Sequence, residues 1–262
     1  MVFDYSELKF LPLDNGALVY ITADAKQARS IIDLLPLDIL DNKQVRQMVN
    51  RTDFFSAALF PSENERGFQV AAYGNYPNSR ASMAFTFSRQ WKKQKAAGDK
   101  FWYSSSTGVS LLLKSNQAFA VTGFFPANPV ATLPGKEPPA GFFDFSRQAP
   151  LSLWVENASV LISGILRETG LPLQFPVRQM FLNFYPVSGN NCQGLIRLQF
   201  DNATYARGML ALINLTGNFM NDSILASLFL SNPPVLNGSN IDIRTSILNE
   251  DDIIQLFNLL TP

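Results

Sequence analysis

Histidine is absent from this 262-residue chain, which removes the commonest general base and the commonest metal ligand together. Cysteine occurs once, at Cys192, so no intramolecular disulfide can form. That cysteine sits in Ser188-Gly-Asn-Asn-Cys-Gln-Gly194, a turn between two strand-like runs, and reads as a small structural residue, not a nucleophile. Charge is scarce, at 16% of residues against about 25% in a typical globular protein, while 47% are hydrophobic. Core, ligand, partner or lipid must cover that apolar surplus. Neither sign of charge dominates, with 21 basic and 21 acidic residues, so the basic footprint of a nucleic-acid binder is missing. The densest basic run, Trp91-Lys-Lys-Gln-Lys95, reads as a solvated turn, with an anionic-lipid contact as the alternative. No apolar run approaches the roughly 20 residues that a spanning helix needs. Met1-Val-Phe-Asp-Tyr lacks a charged region followed by an apolar one, so no signal peptide is expected within this sequence.

Catalytic signatures are missing as well. A Gly-x-Ser-x-Gly elbow and a phosphate-cradling glycine loop are both lacking. Ser104-Ser-Ser-Thr-Gly108 has no histidine to activate it and reads as a strand turn. Glu63 and Glu65 lie beside a turn, and Glu250-Asp-Asp252 precedes the last apolar run, where negative charge favours a helix N-terminus. An enzyme is not expected, nor a cofactor or a metal. Six Asn-x-Ser/Thr triplets begin at Asn50, Asn157, Asn202, Asn214, Asn221 and Asn237. Asn157 and Asn202 fall where helices begin and are expected to cap them.

What the chain does have is a set of nearly charge-free, helix-length stretches. Gly208 to Asn221 holds no charge between Arg207 and Asp222, and Asn157 to Leu166 lies between Glu156 and Arg167. Asp252 to Leu260 closes the chain. Each is either a core helix or a helix lying in a membrane interface, since the apolar burial of about 1.5–3 kcal/mol per large side chain is available from protein or lipid. The helical spacing selects Ile31, Ile32 and Leu35 near the N-terminus, and Leu161 and Ile165 in the second stretch. It selects Tyr205, Met209, Leu212, Ile213 and Phe219 in the longest one, and Ile253, Leu256, Phe257 and Leu260 in the last. These are the candidates for lipid contact. The face carrying Leu212 and Phe219 is favoured because its uncharged run is longest.

Along the chain, strand patterns over 17–22, 54–60, 68–73, 101–106, 109–113 and 118–123 interleave with helical patterns after Asp24, over 41–50 and from Tyr76 to Phe87. Residues 126–141 contain Pro126, Pro129, Pro134, Pro138 and Pro139 with Gly135 and Gly141, and read as a linker. Strand patterns then return at 151–156, 177–185, 195–200 and 241–247, with helical patterns over 158–167, 204–215 and 252–260. The expectation is an α+β protein of two similar halves, 1–125 and 142–262, each a mainly antiparallel sheet with amphipathic helices packed on it.

The succession Asn15-Gly-Ala-Leu-Val-Tyr, Val49-Asn-Arg-Thr-Asp, Ala72-Tyr-Gly-Asn-Tyr-Pro, Phe87-Ser-Arg-Gln-Trp91 and Phe101-Trp-Tyr-Ser resembles the treponemal concealed outer-membrane lipoprotein family. The resemblance covers about residues 15–125 and carries no catalytic motif. It implies a spirochaete lipoprotein, anchored by an N-terminal lipid upstream of Met1, whose amphipathic helices insert into the periplasmic leaflet of the outer membrane. It also implies an internal apolar cavity for lipids or other amphiphiles, with closed and open conformers. Cys192 does not match the lipid-bearing cysteine of that family. With zero net charge, adhesion is expected to depend on apolar area more than on anionic lipid. The partner is then membrane lipid or an amphiphile, with no nucleic acid and no protein partner named by the sequence. A soluble periplasmic carrier or sensor that encloses its amphiphile, and a structural adaptor of the envelope, remain as alternatives.

Overall fold

The computed structural model describes residues 19–34, 43–60, 67–96, 99–114, 117–122, 145, 149–160, 162–163, 176–216 and 232–260. They fall in two compact units, Met1–Lys26 with Leu37–Phe143, and Gln27–Pro36 with Asp144–Pro262. The Pro-rich stretch 126–141 lies outside the described residues. Among the described residues no helix is long and apolar enough to cross a membrane.

In the N-terminal unit, the β-branched and aromatic run Val19–Asp24 forms β1. It pairs antiparallel with β2 (Thr52–Phe60), which pairs with β3 (Gly67–Gly74). Next come β4 (Trp91–Ala96), β5 (Asp99–Ser104), β6 (Val109–Lys114) and β7 (Gln117–Thr122). The order within this unit is β1-β2-β3-β7-β6-β5-β4, and every neighbouring pair is antiparallel. Helix α2 (Lys43–Val49) precedes β2, and α3 (Asn78–Phe87) joins β3 to β4. Two glycines are required by this geometry. A Cβ on Gly74 would run into the Arg51 carbonyl oxygen, and Gly108, at φ +65°, closes the turn from β5 to β6.

The basic run at Trp91 is strand, not solvated turn. Trp91 is buried while Lys92, Lys93 and Lys95 are exposed on the edge strand β4, so the lysines are solvated as their chemistry demands and only the backbone differs. Trp91 supplies the packing that a turn would not. Its ring meets Phe85 of α3 edge-on at 5.1 Å, and Trp102 lies 5.8 Å from Phe85 on the other side. Val109 and Leu111 complete this cluster, with Met48, Phe68, Ala81 and Leu113 packed around it.

In the C-terminal unit the order is β11-β12-β10-β9-β8, again antiparallel throughout. The strands are β8 (Leu151–Glu156), β9 (Val177–Pro186), β10 (Cys192–Phe200), β11 (Val235–Asn237) and β12 (Asn240–Leu248). Helix α4 (Ala203–Thr216) follows β10, and α5 (Glu250–Leu260) follows β12. The short helix α1 (Arg29–Ile32) groups with this unit. In β10 residues 192, 194, 196, 198 and 200 are buried and those between are partly exposed, the period-2 pattern of a sheet with one covered face. The chain is α+β, as its interleaved patterns predict.

Candidate functional site

The helices meet the C-terminal sheet through apolar stripes that begin at well-made caps. Asn202 Oδ1 accepts hydrogen bonds from the backbone N–H groups of Thr204 and Tyr205, each at 3.0 Å, so its expected capping role holds. At α5 the cap is reciprocal. Asn249 Oδ1 accepts from the Asp252 N–H at 3.0 Å, and Asp252 Oδ2 accepts from the Asn249 N–H at 3.0 Å. Glu250 and Asp251 add negative charge to the same first turn, which is what the acidic triplet does here. Asn157 instead takes up a left-handed conformation at φ 57°, one that asparagine tolerates, at the turn between β8 and the helical residues 158–160.

The structure turns most of the candidate lipid-contacting side chains that it describes inward. On α5, Ile253, Leu256 and Phe257 are buried, and the Phe257 ring lies 6.1 Å from Phe184 of β9. On α4 the buried stripe is Ala206, Met209 and Ile213. Leu212 is half-buried and Tyr205 is 49% exposed, so the inward face is rotated away from both, toward Ala206. Ile31 and Ile32 of α1 are buried too. Leu35, Leu161, Ile165 and Phe219 lie outside the described residues, as does the side chain of Leu260. On α1 and α5 the chosen positions whose side chains are described pack on protein, whereas on α4 Met209 and Ile213 do so and Tyr205 and Leu212 lie off the buried stripe.

Apart from Tyr205, the exposed large apolar side chains among the described residues are elsewhere. Phe87 at 81% and Met83 at 60% stand on the outer side of α3, and Val160, Val187, Val235 and Ile247 are exposed singly in the other unit. The sequence pattern picks out Met83, Ala84 and Phe87 as the apolar positions of this helix, yet the structure leaves all three exposed and buries Phe85. The signal that was available is their spacing. Met83 and Phe87 are one turn apart, whereas Ala81 and Phe85 share the opposite side.

Polar groups inside the units are held in structural pairs. Arg197 grips Asp242 with two hydrogen bonds, Nε to Oδ1 at 2.6 Å and Nη2 to Oδ2 at 2.8 Å, and stacks 5.2 Å from the Phe145 ring centre. The bond to Asp242 raises the Arg197 pKa above its ordinary value. Ser152 Oγ donates to Asn183 Oδ1 at 2.6 Å, and Asn183 Nδ2 donates to the Phe145 carbonyl at 2.8 Å. Thr52 Oγ1 donates to the Met48 carbonyl at 3.0 Å and so accepts from the Tyr76 hydroxyl 2.9 Å away. Burial pushes Tyr76 up to about 12. Cys192 opens β10, fully buried, and burial followed by the nearby Asp252 raises its thiol to about 12. A thiol held protonated there is a packing group, not a nucleophile. Among the described residues no three Cys, Asp or Glu side chains gather as a metal site would require.

The sequence model of a family described as outer membrane-associated lipoprotein TP0453 matches residues 7–123. The N-terminal part of the chain thus carries that family's pattern, over nearly the same residues as the resemblance read from its motifs. Three crystal forms of TP0453 share the fold. Form I is similar with a TM-score of 0.68 at 16% identity, covering 97% of this chain and 98% of that one. Form III gives 0.64 at 16% identity over 95% and 96%, and form IV 0.61 at 15% over 96% and 95%. No curated protein matches the chain.

Proposed function

We propose, for a chain whose N-terminal part carries the pattern of the TP0453 outer membrane-associated lipoproteins, a non-enzymatic role at the periplasmic face of the outer membrane. Two signals hold it there, a lipid anchor and amphipathic helices laid into the leaflet. A single acyl chain gives only marginal binding, about 10⁴ M⁻¹, so a second apolar contact has a physical purpose. The observation that carries the reading is the construction of α5, whose Ile253, Leu256 and Phe257 form one apolar side while Glu250, Asp251 and Gln255 are exposed on the other. Such a side exchanges a sheet for lipid with little change in apolar burial, so the transfer itself costs little and the cost of opening decides it. In the packed state the helices keep those residues covered. In an opened state they supply lipid-facing area, and the uncovered sheet receives an acyl chain or another amphiphile.

Flotation of the unlipidated chain with vesicles tests the reading. Migration with the vesicles is expected, together with protection of the α5 backbone from hydrogen exchange in their presence. A chain that stays at the bottom of the gradient with every lipid composition overturns membrane insertion. The inward packing of Met209, Ile213, Ile253, Leu256 and Phe257 specifically favours a second reading, a periplasmic carrier whose helices never leave the sheet. Co-purified lipid found by extraction and mass spectrometry, together with absent vesicle binding, selects the carrier.

A further inference from the structure

We infer that the outer side of α3, with the lysine-bearing edge of β4 beside it, is a docking surface for an anionic lipid headgroup layer. The inference rests on the membrane-association reading and names the lipid chemistry and the residues that meet it. Arg80, Met83, Ala84 and Phe87 recur at i, i+3, i+4 and i+7, and all four are exposed. Phe87 cannot withdraw into the core, because the inward side is already filled by Phe85 between Trp91 and Trp102. The Trp102 Nε1–H also donates to Thr86 Oγ1 at 3.2 Å, and Thr86 Oγ1 donates back to the Ser82 carbonyl at 2.7 Å. The helix is fixed on its strand with Phe87, and Met83 one turn before it, left standing in water.

The charges on α3 and β4 themselves are all of one sign. From Gly67 to Gly98 the five charged residues are Arg80, Arg89, Lys92, Lys93 and Lys95, in a chain that has 21 of each sign, and Asp99 follows opposite Ala96 at the far end of β4. Lys93 lies opposite Trp102 in the β4–β5 register and Lys95 opposite Lys100, so both project from the sheet face that α3 covers. Arg80 and Arg89 flank the apolar pair from either end of the helix. Lysines on an edge strand by themselves serve to block strand addition, and that accounts for β4. It does not account for a phenylalanine and a methionine one turn apart on the adjoining helix. An apolar pair bordered by cations suits a shallow contact at the headgroup boundary. The Phe87 ring and the Met83 side chain reach the acyl boundary, and the long basic side chains keep their heads among the phosphates. The neutral total of the chain hides this local field.

The test compares vesicles of phosphatidylcholine alone with vesicles that also contain phosphatidylglycerol, using the full chain. Wild type is expected to bind the mixed vesicles more tightly and to lose that preference in high salt. Lys93→Gln and Lys95→Gln should each weaken binding to the mixed vesicles about fivefold. Phe87→Ser should weaken it on the order of tenfold. All three sites are exposed, so melting temperatures should stay at the wild-type value. Wild-type flotation that is indifferent to phosphatidylglycerol and to all three substitutions overturns this surface while leaving membrane association intact. Absence of flotation with either composition overturns both. Binding of polyglutamate with no binding of the mixed vesicles assigns the patch to an acidic protein and overturns the lipid assignment.

Discussion

Helices α5 and α3 use apolar residues in opposite ways. In α5 the sequence is cleanly two-sided, and Ile253, Leu256 and Phe257 all find protein to cover them. In α3 the sequence has little amphipathic order, and it is this helix that leaves Met83 and Phe87 exposed. A strong apolar periodicity is thus first a signal that a core exists to receive it. An exposed apolar group has to be found from packing, because it is defined by what its neighbours have already filled.

The contrast breaks most visibly under a buried charge. Phe257→Glu should unfold the C-terminal unit, since an unpaired carboxylate in that position costs several kcal/mol on top of the lost ring packing. Phe87→Glu should leave the melting curve within about 0.5 kcal/mol of wild type, as surface substitutions do. Thermal denaturation followed by near-ultraviolet circular dichroism checks both. Equal damage from the two changes would mean that α3 is also covered by protein.

A smaller effect contrasts the two units through their buried acids. Tyr76 and Cys192 each have a pKa of about 12 in the fold, against ordinary values of 10.0 and 9.0. Both are raised, so each keeps its full contribution below the unfolded value and loses it as pH climbs toward 12. Stability should therefore fall above about pH 9, by up to about 1.4 kcal/mol per pH unit for each group once its unfolded form ionises. Cys192→Ala should flatten the part of the fall that begins near pH 9, and Tyr76→Phe the part that begins near pH 10. Urea midpoints measured across pH 8–12 would show the two steps separately. An unchanged pH profile in either variant would place that group in water.

Much of the fold was legible because alternation and turn chemistry are local. The apolar and aromatic runs that become β2, β3, β8, β9 and β12 are visible in the sequence, and so are the Asn202 cap and the acidic first turn of α5. Strand β4 was not, because three of its five residues from Trp91 to Lys95 are lysines, and a strand held by backbone pairing and a single buried tryptophan has no apolar period. The α4 stripe was read correctly at Met209 and Ile213, but it also took in Tyr205 and Leu212 and passed over Ala206. Tyr205 and Leu212 are large and largely apolar, as Met209 is, and only the packing of the helix against β10 and β12 buries Ala206 instead. Whether an apolar helix face meets protein or lipid is likewise not written in composition, since both cover the same area at similar free energy.

The smallest contrast is at the helix starts. Asn249 and Asn202 each satisfy backbone N–H groups that would otherwise be orphaned, α5 reciprocally with Asp252 and α4 through two bonds to one oxygen. Pro77, at the start of α3, makes no such side-chain bond. Asn249→Ala and Asn202→Ala should each cost about 1 kcal/mol, which in a unit of this size moves the melting temperature by roughly 2–8 °C. Ser79→Ala in the exposed first turn of α3 should move it by less than the cost of either cap. Asn249→Asp should retain most of the stability, because a carboxylate accepts the same bond and favours the same dipole, although it faces Asp252 across the cap. Differential scanning calorimetry resolves shifts of this size. A loss at Ser79 as large as at Asn249 would show that α3 is capped after all, and would remove the difference in construction between the helix that packs inward and the one that stands out.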